Sequence, residues 1–168
     1  MELELKRGGR TARVETLGAE LVSCRDGGGL EYIWGGDPAY WAGRNPLLFP
    51  VVGNLRDGKV SVGGKEYAME RHGFARRREF RVAERAEDRA VLELTDSPET
   101  LAAYPFPFRL AVEQRLTDTG FVTAATVENG GTAPMPFCLG AHTGFRCPLE
   151  AGERFEDYEL VFPERETC

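Results

Sequence analysis

The chain has 168 residues, enough for one domain with a real core and too short to suggest two. Hydrophobic residues make up 42% and charged residues 29%, the balance of an ordinary globular protein rather than a fibrous or disordered one. The net charge of −6 argues against non-specific nucleic-acid binding, and no apolar run approaches the ~20 residues that a bilayer span needs.

The dominant period along the chain is two, the mark of half-buried strands. Leu3 and Leu5 alternate with Glu2, Glu4 and Lys6, which predicts a strand and is unlike a signal peptide. Asp37-Pro38-Ala39-Tyr40-Trp41 suits a single helical turn. Val60 and Val62 run into Gly63-Gly64 and Lys65-Glu66-Tyr67, a tight hairpin with glycines where positive φ is needed. Val91–Leu94 reads as a short strand. Ser97-Pro98-Glu99-Thr100 reads as an N-cap with proline at the first helical position, and Pro105 and Pro107 stop that helix after about two turns. Phe108, Leu110, Val112, Gln114 and Leu116 form a long alternating strand, and Asp118-Thr119-Gly120 turns it into another over Phe121 to Val127. Many short strands with Gly and Pro turns predict an all-β sandwich or barrel.

Several chemistries are absent from the pattern. Gly27-Gly28-Gly29 lacks the following helix that a dinucleotide fingerprint or a phosphate loop requires. Nearly all positive charge is arginine, with only Lys6, Lys59 and Lys65 as lysines, so arginine alone does not signal phosphate binding. Cys24, Cys138, Cys147 and Cys168 show no paired CxxC spacing, and a cytoplasmic protein with reduced thiols is expected. Cys138, His142 and Cys147 offer three metal ligands by spacing, without the fourth that a closed structural zinc site needs, so no metal is expected.

The two histidines sit in dense local motifs: Arg71-His72-Gly73-Phe74-Ala75-Arg76 and Leu139-Gly140-Ala141-His142-Thr143-Gly144-Phe145. Imidazole is the side chain best suited to proton transfer near neutral pH. A lone histidine in a β-rich chain is more often structural, so the case rests on the company these two keep. Trp34, Trp41 and Phe74 are candidates for an apolar sugar-facing wall, with core packing the simpler reading of each. Arg76 suits a ligand contact or a surface ion pair equally.

Six segments together resemble the aldose 1-epimerase (galactose mutarotase) family, close to its LacX-like branch. They are Gly18–Ser23, Glu31–Trp34, Asn45–Leu55, Gly64–Tyr67, His72–Arg76 and Phe137–His142, and their order follows the family through nearly all of the chain. The resemblance implies an antiparallel β-supersandwich, of which this chain is the N-terminal part, a single incomplete domain over 1–168. It implies a free aldose as substrate, no cofactor, no nucleic acid and no membrane partner.

Mutarotation interconverts the α and β anomers of a sugar through its open-chain aldehyde. Ring opening needs a proton removed from the anomeric hydroxyl while another reaches the ring oxygen, so an acid and a base are the minimal apparatus. By resemblance His142 is the acid, His72 holds the sugar and its developing charge, and a late glutamate is the base. Asn54 or Arg56 fills the polar sugar-holding role, joined by Arg76 and Phe74. Family members continue well past the point where this sequence stops, and their catalytic glutamate lies in that continuation. Glu164 and Glu166 stand in a strand-to-loop region and are not substitutes. The chain is therefore expected to be a fragment or a natural truncation, inactive as it stands, that self-associates through unpaired strand edges. Two alternatives stay open: a non-catalytic carbohydrate-binding module, and a hexose-6-phosphate epimerase relative in which Arg76-Arg77-Arg78 grips phosphate.

Overall fold

Alternation of apolar and charged side chains builds the first sheet, as seen in a computed structural model that describes residues 1–164. Strands β1 (Glu2–Arg7), β2 (Arg10–Glu15) and β3 (Glu20–Arg25) form an antiparallel sheet in that order. Leu3, Leu5, Ala12 and Val14 turn inward and are fully buried, while Glu4 and Arg13 face water. Strand β3 escapes simple periodicity because it carries a bulge: Arg13 and Val14 of β2 face Ser23 and Leu21, which leaves Val22 as the extra residue, and Leu21, Val22 and Ser23 are all buried.

Two short elements follow: β4 (Leu47–Leu48), then the hairpin of β5 (Lys59–Val62) and β6 (Lys65–Ala68). The hairpin closes on Gly63 and Gly64, both at positive φ, as the Gly-Gly dipeptide predicts. Asp37–Trp41 makes a single turn: the Asp37 carbonyl accepts from the N–H groups of Tyr40 (3.0 Å) and Trp41 (2.8 Å).

The second sheet is antiparallel, in the order β10-β9-β8-β7, from β7 (Arg81–Arg85), β8 (Arg89–Thr95), β9 (Phe108–Leu116) and β10 (Phe121–Asn129). Helix α1 (Pro98–Ala103) bridges β8 and β9. The Ser97 side chain accepts from the Thr100 N–H, the Thr100 hydroxyl returns a bond to the Ser97 backbone, and Pro98 opens the first turn. In β9 the five alternating residues Phe108, Leu110, Val112, Gln114 and Leu116 all point inward and pack against the buried face of β1 and β2. Gln114 is nearly inaccessible and its polarity is satisfied: its amide donates to the Ala19 carbonyl (2.7 Å) and accepts from the Thr123 hydroxyl (2.6 Å).

Phe49 stands at the centre of the core, with ring centroids 5.3 to 6.2 Å from Phe74, Tyr104, Phe108 and Phe137. This aromatic knot ties the segment around β4 to the second sheet. Among the described residues, β10 has no partner on its outer edge, and residues 142–164 carry little regular structure apart from a turn at Phe155–Asp157. Phe145, Phe155, Leu160 and Val161 are exposed there. Among the described residues no helix is long and apolar enough to cross a membrane. Glu164 is exposed at the end of this stretch; Glu166 and Cys168 lie outside the described residues.

Candidate active site

The His72 motif is a sharp backbone reversal. His72 and Gly73 both adopt positive φ (65° and 72°), which turns the chain back against β4. A Cβ on Gly73 would lie 2.2 Å from the Phe49 carbonyl oxygen, so only glycine lets the two backbones meet. The same oxygen accepts from the N–H groups of Phe74 (3.0 Å) and Ala75 (3.2 Å). His72 is also bound to the end of the Pro50–Gly53 segment by two bonds. Its N–H donates to the Gly53 carbonyl (3.1 Å), and the Gly53 N–H donates to its Nδ1 (2.9 Å).

Donors face both ring nitrogens: the Gly53 N–H at Nδ1 (2.9 Å) and the Arg71 Nε–H, which donates to Nε2 at 3.3 Å. A neutral imidazole accepts at one nitrogen only. The shorter, backbone-held bond favours acceptance at Nδ1, and Nε2 then donates once the exposed Arg71 side chain turns away. Burial, and then the charges of Arg71, Arg76 and His142, hold the His72 pKa below the ordinary imidazole value. The lowered pKa favours the neutral imidazole, and in the tautomer that accepts at Nδ1 its Nε2–H is a donor.

The His142 motif arrives from the other side of the chain. Strand β11 (Gly140–Ala141) pairs with β4, and the His142 N–H donates to the Pro46 carbonyl (3.2 Å). Thr143 donates to the buried Asn45 side chain at 2.6 Å, and the Gly144 N–H to the Arg44 carbonyl at 2.7 Å. These bonds lay the 140–144 segment along residues 44–48.

The result is a cleft of about 310 Å³ lined by Trp41, Pro46, Leu48, Arg71, His72, Arg76 and His142. The structure thus brings together His72, His142 and Arg76 from the expected set with Trp41, one of the three wall candidates, and adds Arg71. Arg71 stands inside the quoted motif, but nothing in its sequence neighbourhood distinguishes it from other surface arginines. Arg76 donates to the Arg71 carbonyl (3.1 Å), while its buried Nε has no hydrogen-bond partner among the described residues. Burial, then Arg77 and Arg71, pull its pKa below the usual guanidinium value. Among the described residues no carboxylate lines the cleft.

Three expected residues lie elsewhere. Phe74 packs in the aromatic core and borders a separate cleft with Met69 and Arg77. Asn54 and Arg56 are exposed, Arg56 in a turn over Arg56–Gly58, and neither lines the histidine cleft. The contiguous run Arg76-Arg77-Arg78 does not act as one grip. Arg77 pairs with Glu70, and Arg77 and Arg78 border the cleft beside Phe74 while Arg76 faces the histidines. Among the described residues no three His, Cys, Asp or Glu side chains come together to hold a metal, so Cys138, His142 and Cys147 do not form the ligand set that their spacing suggested.

The aldose 1-epimerase family profile matches residues 1–168. The chain belongs to the aldose 1-epimerase family. It is 39% identical to the plasmid-encoded protein LacX of Lactococcus lactis subsp. lactis over 174 aligned residues, which cover all of this chain and 58% of that protein. The chromosomal LacX is 38% identical over the same extent. Among solved structures, a galactose mutarotase related enzyme from Lactobacillus acidophilus superposes with a TM-score of 0.90 at 31% identity, over 94% of this chain and 53% of that one. A galactose mutarotase-like protein from Lactobacillus casei gives 0.85 at 34%, over 90% and 52%. The fold is therefore that of the galactose mutarotases, and this aldose 1-epimerase family chain spans little more than half the length of its relatives.

Proposed function

We propose that this chain carries the acid half of an aldose 1-epimerase site. His142 is the proton donor to the ring oxygen, and His72 is a neutral donor that holds the sugar. The single observation that supports this best is the convergence of both histidines on one cleft, because they come from motifs far apart in the chain. The Gly53 bond to Nδ1 fits His72 for donating a hydrogen bond rather than shuttling a proton. Such a bond to an oxygen that gains charge as the ring opens strengthens in the transition state.

The reaction also needs an acceptor for the anomeric proton, and no residue of 1–168 is assigned that role. The 168-residue chain is expected to leave mutarotation at its uncatalysed rate. Polarimetry on freshly dissolved α-glucose and α-galactose tests this, using the chain itself and a longer form that carries the C-terminal portion of a LacX relative. The longer form should accelerate the optical change, and His142→Asn should lower that rate by roughly 10²-fold. Wild-type rates in His142→Asn, with circular dichroism unchanged, would remove His142 from the chemistry.

A second reading concerns the substrate. Arg71 and the Arg76 Nε–H, which has no hydrogen-bond partner among the described residues, are donors that share one cleft, and among the described residues no carboxylate lines it. That arrangement favours an aldose bearing an anionic group such as phosphate. Running the same assay on α-glucose 6-phosphate separates the two: a kcat/KM above that for glucose, lost in Arg71→Ala, supports it, and a preference for the neutral sugar sinks it.

A further inference from the structure

His142 is exposed, and among the described residues no hydrogen bond holds either of its ring nitrogens. Its imidazole instead lies against Trp41, with ring centroids 5.3 Å apart and planes inclined by 41°. Trp41 is itself fixed at three points. Its N–H donates to the Asp37 carbonyl (2.8 Å), and its carbonyl accepts from the Trp34 indole N–H (2.8 Å). Its indole rests on the bare backbones of Gly43 and Gly144. A Cβ on Gly43 would come within 2.7 Å of Trp41 Cζ2, and one on Gly144 within 2.8 Å of Cζ3. Neither glycine has positive φ, so the backbone at each accepts any residue. What these two positions protect is room for the indole.

We propose that Trp41 is a positioning residue: its indole, seated against Gly43 and Gly144, orients the His142 imidazole over the cleft. A flat aromatic wall holds an imidazole ring in plane without occupying a nitrogen, which leaves both nitrogens free for substrate and solvent. When His142 is protonated the contact becomes a cation–π pair, so the wall also retains the charged form in place. An acid misplaced by ~1 Å can lose ~10²-fold in rate, which is why an exposed ring needs such a support. The inference rests on the reading of His142 as the acid, but the contact has an optical signature of its own.

A protonated imidazole in contact with an indole quenches its fluorescence. The Trp41 emission of the 168-residue chain, taken at one fixed pH as the difference between the wild type and Trp41→Phe, should therefore change in intensity in His142→Asn, with circular dichroism unchanged in both variants. In the longer, active form, Trp41→Leu should cut kcat roughly 10-fold or more at little change in KM, with Trp41→Phe restoring most of it. Gly144→Ala, which drives a methyl into the indole, should reproduce the Trp41→Leu defect. A Trp41 emission that His142→Asn leaves unchanged would overturn the contact whether or not the protein is an epimerase. A changed emission with normal kcat in Trp41→Leu would overturn the positioning role alone.

Discussion

Gly73→Ala should be among the most damaging single-methyl changes in this protein. The added Cβ would sit 2.2 Å from the Phe49 carbonyl oxygen, 2.5 Å from its carbon and 2.6 Å from the Pro50 nitrogen. Ordinary contact requires one backbone to retreat by roughly 1 Å. Phe49 cannot retreat cheaply, because it is fully buried and wedged among four aromatic rings. Its carbonyl also holds the N–H groups of Phe74 and Ala75, and separating the chains weakens both bonds. A left-handed φ of 72° adds about 1–2 kcal/mol for a residue with a Cβ, and each weakened buried bond about 1 kcal/mol. With the steric displacement, the expected loss is about 3–5 kcal/mol, a large share of the 5–15 kcal/mol typical of a whole domain. Urea unfolding followed by circular dichroism measures it. Gly120→Ala is the matched control, since nothing lies within 4 Å of its Cβ position and its φ is ordinary, and it should shift the midpoint very little. A Gly73→Ala midpoint indistinguishable from that of Gly120→Ala would refute the close-packed reversal, and with it the placement of His72.

Replacing the buried Gln114 by leucine keeps its volume but strands the Ala19 carbonyl and the Thr123 hydroxyl; a loss of about 1–3 kcal/mol in urea unfolding is expected, and an unchanged midpoint would show that water serves both groups. The pH dependence of stability should carry a His72 component. Its folded pKa is depressed, so the unfolded chain takes up the proton first as pH falls; the contribution is present above about pH 6.5 and is lost as pH drops through the lower folded value. A melting-temperature profile from pH 8 to 5 should therefore be flatter in His72→Asn than in the wild type, and a steeper one would reverse the assignment of the neutral form.

Local patterns were legible in the sequence wherever one face of an element is wet and the other dry. The alternation of β1 and β9, the Gly63-Gly64 turn, and the Ser97–Pro98 helix start each depend on residues within a few positions of one another. Strand β3 was not legible, because a bulge at Val22 breaks its alternation and leaves Leu21, Val22 and Ser23 buried in a row. The six motifs in register pointed to the aldose 1-epimerase family, as the match over 1–168 shows. They did not say which charged residues would meet. Arg76 and Arg77 are neighbours in the chain yet border different clefts, since a short turn over Ala75–Arg77 rotates successive side chains apart. His72 and His142 are distant in the chain yet share one cleft, since β11 lies on β4 and the Gly73 reversal lies on Phe49. Phe74 reads like a site residue by its motif and is core by its packing. Periodicity and capping are short-range physics and can be read along the chain. A cleft is made by long-range backbone pairing, and only the folded chain decides which donors it gathers.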